Sequence, residues 1–272
     1  MRLSPTLPTF ISAGQGDAPP LVLLHGIGST ATGWRPPLAE LAHARRVLAW
    51  NAPGYADSAP LDTPEPLVED YAQVLLALLD DQRIDSAVLV ASSWGTPIAI
   101  AAAAMWPDRI AQLVLSGPTA GYGSLPPAER EQLLQTRAAR AQARGVAAML
   151  EDDAPRLVAP GTPEAVRAGL AQARQGVHLA GYLQALHALA HADAVAALAR
   201  VRCPVLIVAG GQDVIAPPAQ HALPLSQALP GTPLHLLEGC GHLPHAEQAA
   251  VFAALTRQFI EPDTQPKETS PC

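Results

Sequence analysis

The sequence predicts an α/β protein with a mostly parallel central sheet flanked by helices and a helical insertion in its second half. Short β-branched or Leu-rich runs alternate with longer Ala/Leu-rich stretches, the rhythm of strands connected by crossover helices. The short runs are apolar almost throughout, as strands covered on both faces must be. The alternation stops at about 121, stays helical to about 191, and then resumes.

The apolar runs at 21–24, 47–50, 87–90, 113–115, 205–208 and 234–237 are the expected central strands. Helices are expected at 34–42, 66–80, 95–106, 192–198, 218–228 and 245–259, and the segment before Gly16 adds one or two edge strands. Between 121 and 191 the Ala/Arg/Gln/Leu segments 128–150 and 163–173 are joined by Pro- and Gly-containing turns. An insertion there would cover the carboxyl ends of the strands, where open α/β sheets place their ligands. The chain thus divides into a core (1–120 and 192–261), a helical lid (121–191) and a flexible polar tail (262–272).

With 272 residues, 49% hydrophobic and 15% charged, the chain has material for a large buried core. The net charge is −7, and the 17 basic residues, all but one of them Arg, are scattered, which argues against a nucleic-acid partner. The longest apolar stretch, 98–106, is too short to span a bilayer, and Met1-Arg2-Leu3-Ser4-Pro5 lacks the apolar run of a signal peptide. A soluble, cytoplasmic protein is expected. Cys203, Cys240 and Cys272 form no disulfide framework, and no His/Asp/Glu cluster has ligand spacing, so neither metal nor cofactor is implied.

The chemistry concentrates after the strands. In Val90-Ala91-Ser92-Ser93-Trp94-Gly95 a strand runs straight into an Ala-rich helix, and a serine on so tight a turn needs small residues two before and two after it. Ser93, between Ala91 and Gly95, meets this; Ser92, between Val90 and Trp94, does not. A serine nucleophile requires a base, and the base an orienting partner. His242, in Gly239-Cys240-Gly241-His242 after a strand, is the candidate base, and Asp213, in Gly210-Gly211-Gln212-Asp213, the candidate carboxylate. His43 and His235 read as structural, His245 as a capping or packing residue, and Cys240 as a small packing residue. The turn His25-Gly26-Ile27-Gly28 can aim backbone N–H groups at a developing oxyanion, so the donors are assigned to Ile27 and Trp94. His25 itself is expected to hydrogen-bond locally.

These motifs, together with Ala52-Pro53-Gly54-Tyr55-Ala56-Asp57-Ser58 and His242-Leu243-Pro244-His245, resemble the lid-bearing α/β-hydrolase superfamily of esterases, lactonases and C–C bond hydrolases over about residues 20–260. Two positions depart from its usual pattern: Asn51 in place of Asp, and Ala91 in place of the first elbow Gly. The resemblance implies a small-molecule ester or lactone substrate, cleaved through an acyl-enzyme by Ser93, His242 and Asp213. Ser93 separates the chain from relatives that attack alkyl carbons with Asp. The alternatives are C–C hydrolysis of ring-cleavage diketones on the same residues, or a ligand receptor that has lost turnover.

Substrate contacts are expected from His25, the Trp94 indole, Tyr182 and His187, with His178 and His191 as further lid residues within reach. Trp94 has the competing reading of a ring packed at the lid interface, and the lid residues that of ordinary packing or surface. Arg130, Arg137, Arg140 and Arg144 form one helical stripe. Facing the pocket it would favour a carboxylate-bearing substrate; the plainer reading is a solvated face balanced by Glu129 and Glu131.

Overall fold

The computed structural model describes residues 6–261. The expected tail, 262–272, and Cys272 with it, lie outside the described residues, as do residues 1–5. Strands β1 (Phe10–Ala13), β2 (Leu21–Leu24), β3 (Val47–Trp50), β4 (Ala87–Ser92), β5 (Ile110–Ser116), β6 (Val205–Gly210) and β7 (Leu234–Leu237) form one sheet in the order β1-β3-β2-β4-β5-β6-β7. Only β1 runs antiparallel to its neighbour. Helices α1 (Arg35–Leu41), α2 (Val68–Asp81) and α3 (Gly95–Met105) connect the early strands. The interval between β5 and β6 holds α4 (Pro127–Arg144), α5 (Val146–Leu157), α6 (Glu164–Arg174), α7 (Leu179–His191) and α8 (Ala194–Leu198). After β6 come α9 (Ala222–Ala228), α10 (Pro244–Glu247) and α11 (Ala249–Ile260). No helix among the described residues is long and apolar enough to cross a membrane.

The two-residue period of the strands sorts the core into two layers. Leu21, Leu23, Val88 and Val90 pack with Trp34, Leu41 and Phe252 on the face covered by α1 and α11. Val22, Leu24, Leu89 and Ala91 point the other way, into a cluster with Leu75, Leu78 and Ile98 of α2 and α3. Both faces are buried, which is why these runs carry no polar alternation; each Leu or Val so covered contributes roughly 1.5–3 kcal/mol.

Several boundaries differ from the sequence expectation. β7, expected as a central strand, is an edge strand, with His235 and Leu236 exposed. The helix expected at 245–259 breaks at Gln248, whose φ of −128° and ψ of 55° leave the helical region. There its side-chain amide donates to the Glu238 carbonyl at 2.8 Å. The lid segment 128–150 breaks at Gly145, where a φ of 77° turns the chain so that α5 folds back on α4.

Sheet order reverses between β2, which continues to β3, and β4, which continues to β5, and the loops leaving the carboxyl ends of β2, β4, β6 and β7 meet above that point. Their approach is close enough to require glycine. A Cβ at Gly210 would lie 1.8 Å from the Gly241 carbonyl oxygen, and one at Gly117, itself at φ +50°, 2.1 Å from that of His242. Gly169, in α6, has nothing within 4 Å of the same position. Gly210→Ala is expected to destabilise by about 1–3 kcal/mol or more. Gly169→Ala is expected to stabilise by roughly 0.5–1 kcal/mol. Urea-unfolding midpoints of the two variants check the pair, and a harmless Gly210→Ala would contradict the packing described.

Candidate active site

Ser93 sits on the turn between β4 and α3 at φ +51°, a left-handed backbone that L-residues adopt at a cost of roughly 1–2 kcal/mol. The surroundings fix it there. Its N–H donates to the Ser116 carbonyl at 3.1 Å, extending the β4–β5 ladder, and its carbonyl accepts from Thr96 N–H at 2.9 Å. A Cβ at Gly95 would meet the Leu24 carbonyl oxygen at 2.7 Å, so the helix can begin against β2 only with glycine there. Ala91 is fully buried in the layer beneath.

The loops after β6 and β7 bring Asp213 and His242 to this turn. Asp213 Oδ1 accepts from the N–H groups of Ile215 at 2.8 Å and Ala216 at 2.9 Å. Its Oδ2 lies 2.7 Å from His242 Nδ1, and His242 Nε2 lies 2.8 Å from Ser93 Oγ. With Nδ1–H donating to the carboxylate, Nε2 is left as the acceptor of the serine O–H, the polarity that lets an imidazole draw a proton from the hydroxyl. Asp213 and His242 are 5% and 2% exposed, so water competes little for either contact.

The loop carrying His242 is fastened to the lid by Glu247. One carboxylate oxygen accepts from Gly241 and Leu243 N–H at 3.1 and 3.0 Å, the other from Ala159 N–H at 2.7 Å and the Thr162 hydroxyl at 3.0 Å. His242 N–H itself donates to the Leu157 carbonyl at 2.9 Å. Sequence reasoning missed Glu247, which lies on the same short helix as His245 and carries no signal separating it from a solvated helix residue.

The turn after β2 abuts the serine: a Cβ at Gly26 would lie 3.2 Å from Ser93 Cβ. Tyr55 pins this turn by donating its hydroxyl to the Ile27 carbonyl at 3.0 Å. The N–H groups of Ile27 and Trp94 donate to no acceptor among the described residues. His25 lies beneath the turn, 1% exposed, and both ring nitrogens are engaged. Ala52 N–H donates to Nε2 at 3.0 Å, so Nδ1–H donates to the Gly26 carbonyl at 2.9 Å. Asn51, which departs from the usual Asp, uses both ends of its amide: Oδ1 accepts from Ala31 N–H at 2.9 Å and Nδ2 donates to Thr9 Oγ1 at 2.9 Å.

Ser93 and His242 open into a cavity of about 90 Å³ walled by Ile27, Leu157, Leu170, Leu189 and Ile215. Among the residues expected to touch substrate, His25, Trp94, Tyr182 and His187 are all absent from its wall. The Trp94 ring is fully buried in an aromatic cluster, stacked on Tyr55 at 5.6 Å and edge-on to Tyr71 at 5.0 Å. Tyr182 is buried in the packing of the lid, and His187 donates through Nδ1 to the Pro66 carbonyl at 3.0 Å. His178 donates to the Ala56 carbonyl, and His191 to that of His187.

The arginine stripe divides. Arg140 and Arg144 pair with Asp153 and Asp152 of α5 at 2.8 and 2.9 Å, so the balancing carboxylates are not Glu129 and Glu131. Arg130 donates to the Gly123 carbonyl, whereas Arg137 lines the cavity. Arg174 and Tyr122 line it too, and neither was read from sequence; Arg174, in the last turn of α6, looks there like an ordinary basic C-terminal residue.

Burial also sets ionisation. Desolvation lowers His25 to about 4, and desolvation followed by the nearby His242 lowers His245, which contacts Ser116 Oγ at 3.1 Å, to about 3. Burial and then Glu247 push the Cys240 thiol well up, which suits a packing residue. Both histidines bind protons more readily unfolded, at about 6.5, so the stability they confer is complete above that pH and lost as pH falls towards their folded values. The thermal midpoint should therefore drop between about pH 7 and pH 4.5, and His245→Gln should shrink the drop. An identical drop in that variant would exclude His245 as a source.

Comparison with known proteins fits this geometry. The profile of the Alpha/beta hydrolase family matches residues 21–255. The chain is 27% identical over 248 residues to 3-oxoadipate enol-lactonase 2 of Acinetobacter baylyi, covering 89% of each chain. It is 28% identical over 268 residues to a 2-hydroxy-6-oxononadienedioate/2-hydroxy-6-oxononatrienedioate hydrolase of Escherichia coli, covering 92% of this chain and 90% of that one. The crystal structure of the enol-lactonase from Burkholderia xenovorans superposes with a TM-score of 0.83 at 27% identity, covering 93% of this chain and 96% of that one. With its seven-stranded sheet, inserted helices and family match across most of its length, the chain belongs to the alpha/beta hydrolase family.

Proposed function

We propose that the protein is a serine hydrolase that cleaves a small carboxylic ester or lactone through an acyl-enzyme, with Ser93 as nucleophile, His242 as general base and Asp213 as its orienting partner. The observation that carries this reading is the unbroken pair of hydrogen bonds, 2.8 Å from serine to imidazole and 2.7 Å from imidazole to carboxylate. Ser93 Oγ attacks the carbonyl carbon as His242 Nε2 takes its proton. The Asp213 carboxylate, held by two backbone N–H groups, stabilises the imidazolium that forms. The negative oxygen of the tetrahedral intermediate is received by the N–H groups of Ile27 and Trp94. His242 then returns the proton to the departing alkoxide, and water, activated by the same imidazole, releases the acid and frees the serine. In a lactone the alkoxide stays tethered to the acyl group, so one bound molecule leaves as a hydroxy acid.

A second reading, C–C hydrolysis of a ring-cleavage diketone, draws on the likeness to the Escherichia coli hydrolase. The same three residues would serve it, with a carbanion as the leaving group.

Ser93→Ala should lower turnover of short p-nitrophenyl esters by at least about a thousandfold and abolish labelling by a fluorophosphonate probe. Ester turnover retained in that variant would exclude the mechanism. Absent labelling of folded wild-type protein would favour a binding role, and diketone turnover exceeding ester turnover by orders of magnitude would favour the second reading.

A further inference from the structure

Resting on the proposed hydrolase reading, we infer that Arg174 and Arg137 form an anion subsite in the cavity above Ser93, which takes a carboxylate carried by the substrate itself. The cavity wall includes these two guanidiniums and, among the described residues, no Asp or Glu. The rest of that wall is largely apolar, and His245 within it is held neutral by burial. The cavity is therefore cationic beside the reacting serine.

Arg174 is the sharper observation. Its side chain is only 10% exposed, yet its Nε–H has no acceptor among the described residues, and it is the one charged side chain with such an orphaned buried polar atom. Its ion-pair partner is Glu151, a carboxylate 72% exposed to water that Nη2 reaches at 3.3 Å. A pair so long and so solvated does little to offset the burial of a guanidinium. A planar fork of donors with vacant positions matches a carboxylate bidentately, and ligand binding would satisfy a group that the fold alone leaves unpaired. Arg137 reaches the same cavity from α4 and, alone among the four arginines of its stripe, makes neither an ion pair nor a hydrogen bond among the described residues.

The test is made at equilibrium in the Ser93→Ala protein, so that it does not depend on turnover. Calorimetric titration with adipate and with hexanoate compares two six-carbon acids that differ in one carboxylate. Adipate should bind at least about tenfold more tightly. Arg174→Met should remove that preference while moving hexanoate affinity less than about twofold, and Arg174→Lys should keep part of it. Glu151→Gln, which deletes the competing carboxylate, should tighten adipate binding severalfold, an effect that a merely structural arginine would not produce. Should Arg174→Met fail to fold, Arg137→Met and Glu151→Gln carry the same comparison. Equal affinity for the two acids, or equal loss of both in the arginine variants, would overturn the subsite. Ester turnover that survives Ser93→Ala would overturn the hydrolase reading instead, so the two failures are separable.

Discussion

Everything at the candidate site of this molecule depends on backbone passing backbone at distances that no side chain would allow. The loops after β6 and β7 touch where Gly210 meets the Gly241 carbonyl, the β5 exit touches the His242 carbonyl at Gly117, and α3 starts against β2 at Gly95. These contacts set the spacing of the hydroxyl, imidazole and carboxylate, because each of those side chains is short and hangs from a loop with little room to shift. The left-handed backbone of Ser93 belongs to the same constraint. Strain of this kind persists only where the surroundings over-determine it, and here a sheet hydrogen bond to Ser116 and the helix start hold the turn from both sides.

The second organising feature is the separation of polar work from apolar wall. His25 spends both nitrogens stabilising the turn that presents Ile27, and the buried Tyr55 hydroxyl ties the same turn through the Ile27 carbonyl. Glu247 gathers N–H groups from the His242 loop and from the lid into one carboxylate, so the lid is coupled to the imidazole through short polar contacts rather than through apolar packing alone. Gln184 of α7 joins the inserted helices to the segment between β3 and α2, exchanging amide hydrogen bonds with Leu61 and donating to Thr63. What remains facing the cavity exposes more apolar than polar surface, and against such a wall two arginines stand out electrically.

Much of this was legible in the chain. Strands at 21–24 and 47–50 end where expected because their residues are apolar throughout and Gly or Pro follows closely. Ser93 could be told from Ser92 by its small flanking residues alone. The substrate-side contacts were not legible. Trp94, beside Ser93, could be read as a wall residue or as a packed ring, and its ring turns down into Tyr55 and Tyr71, since a helix-start side chain at that position can follow the core as easily as the pocket. The arginine stripe has one periodicity but several environments. Asp152 and Asp153 become its neighbours only because the chain reverses at Gly145, and Arg137 is left to the cavity by that same packing.

By itself the sequence determined the strand segments, the order along the chain of the strand-end loops and the residue types able to do acyl chemistry, because these follow from local periodicity and from the steric needs of tight turns. Tertiary structure alone decided which side chains share the cavity. That outcome is set by how the inserted helices pack over the sheet, and a helix face carries no mark in one dimension of whether it will meet water, a neighbouring helix or a substrate.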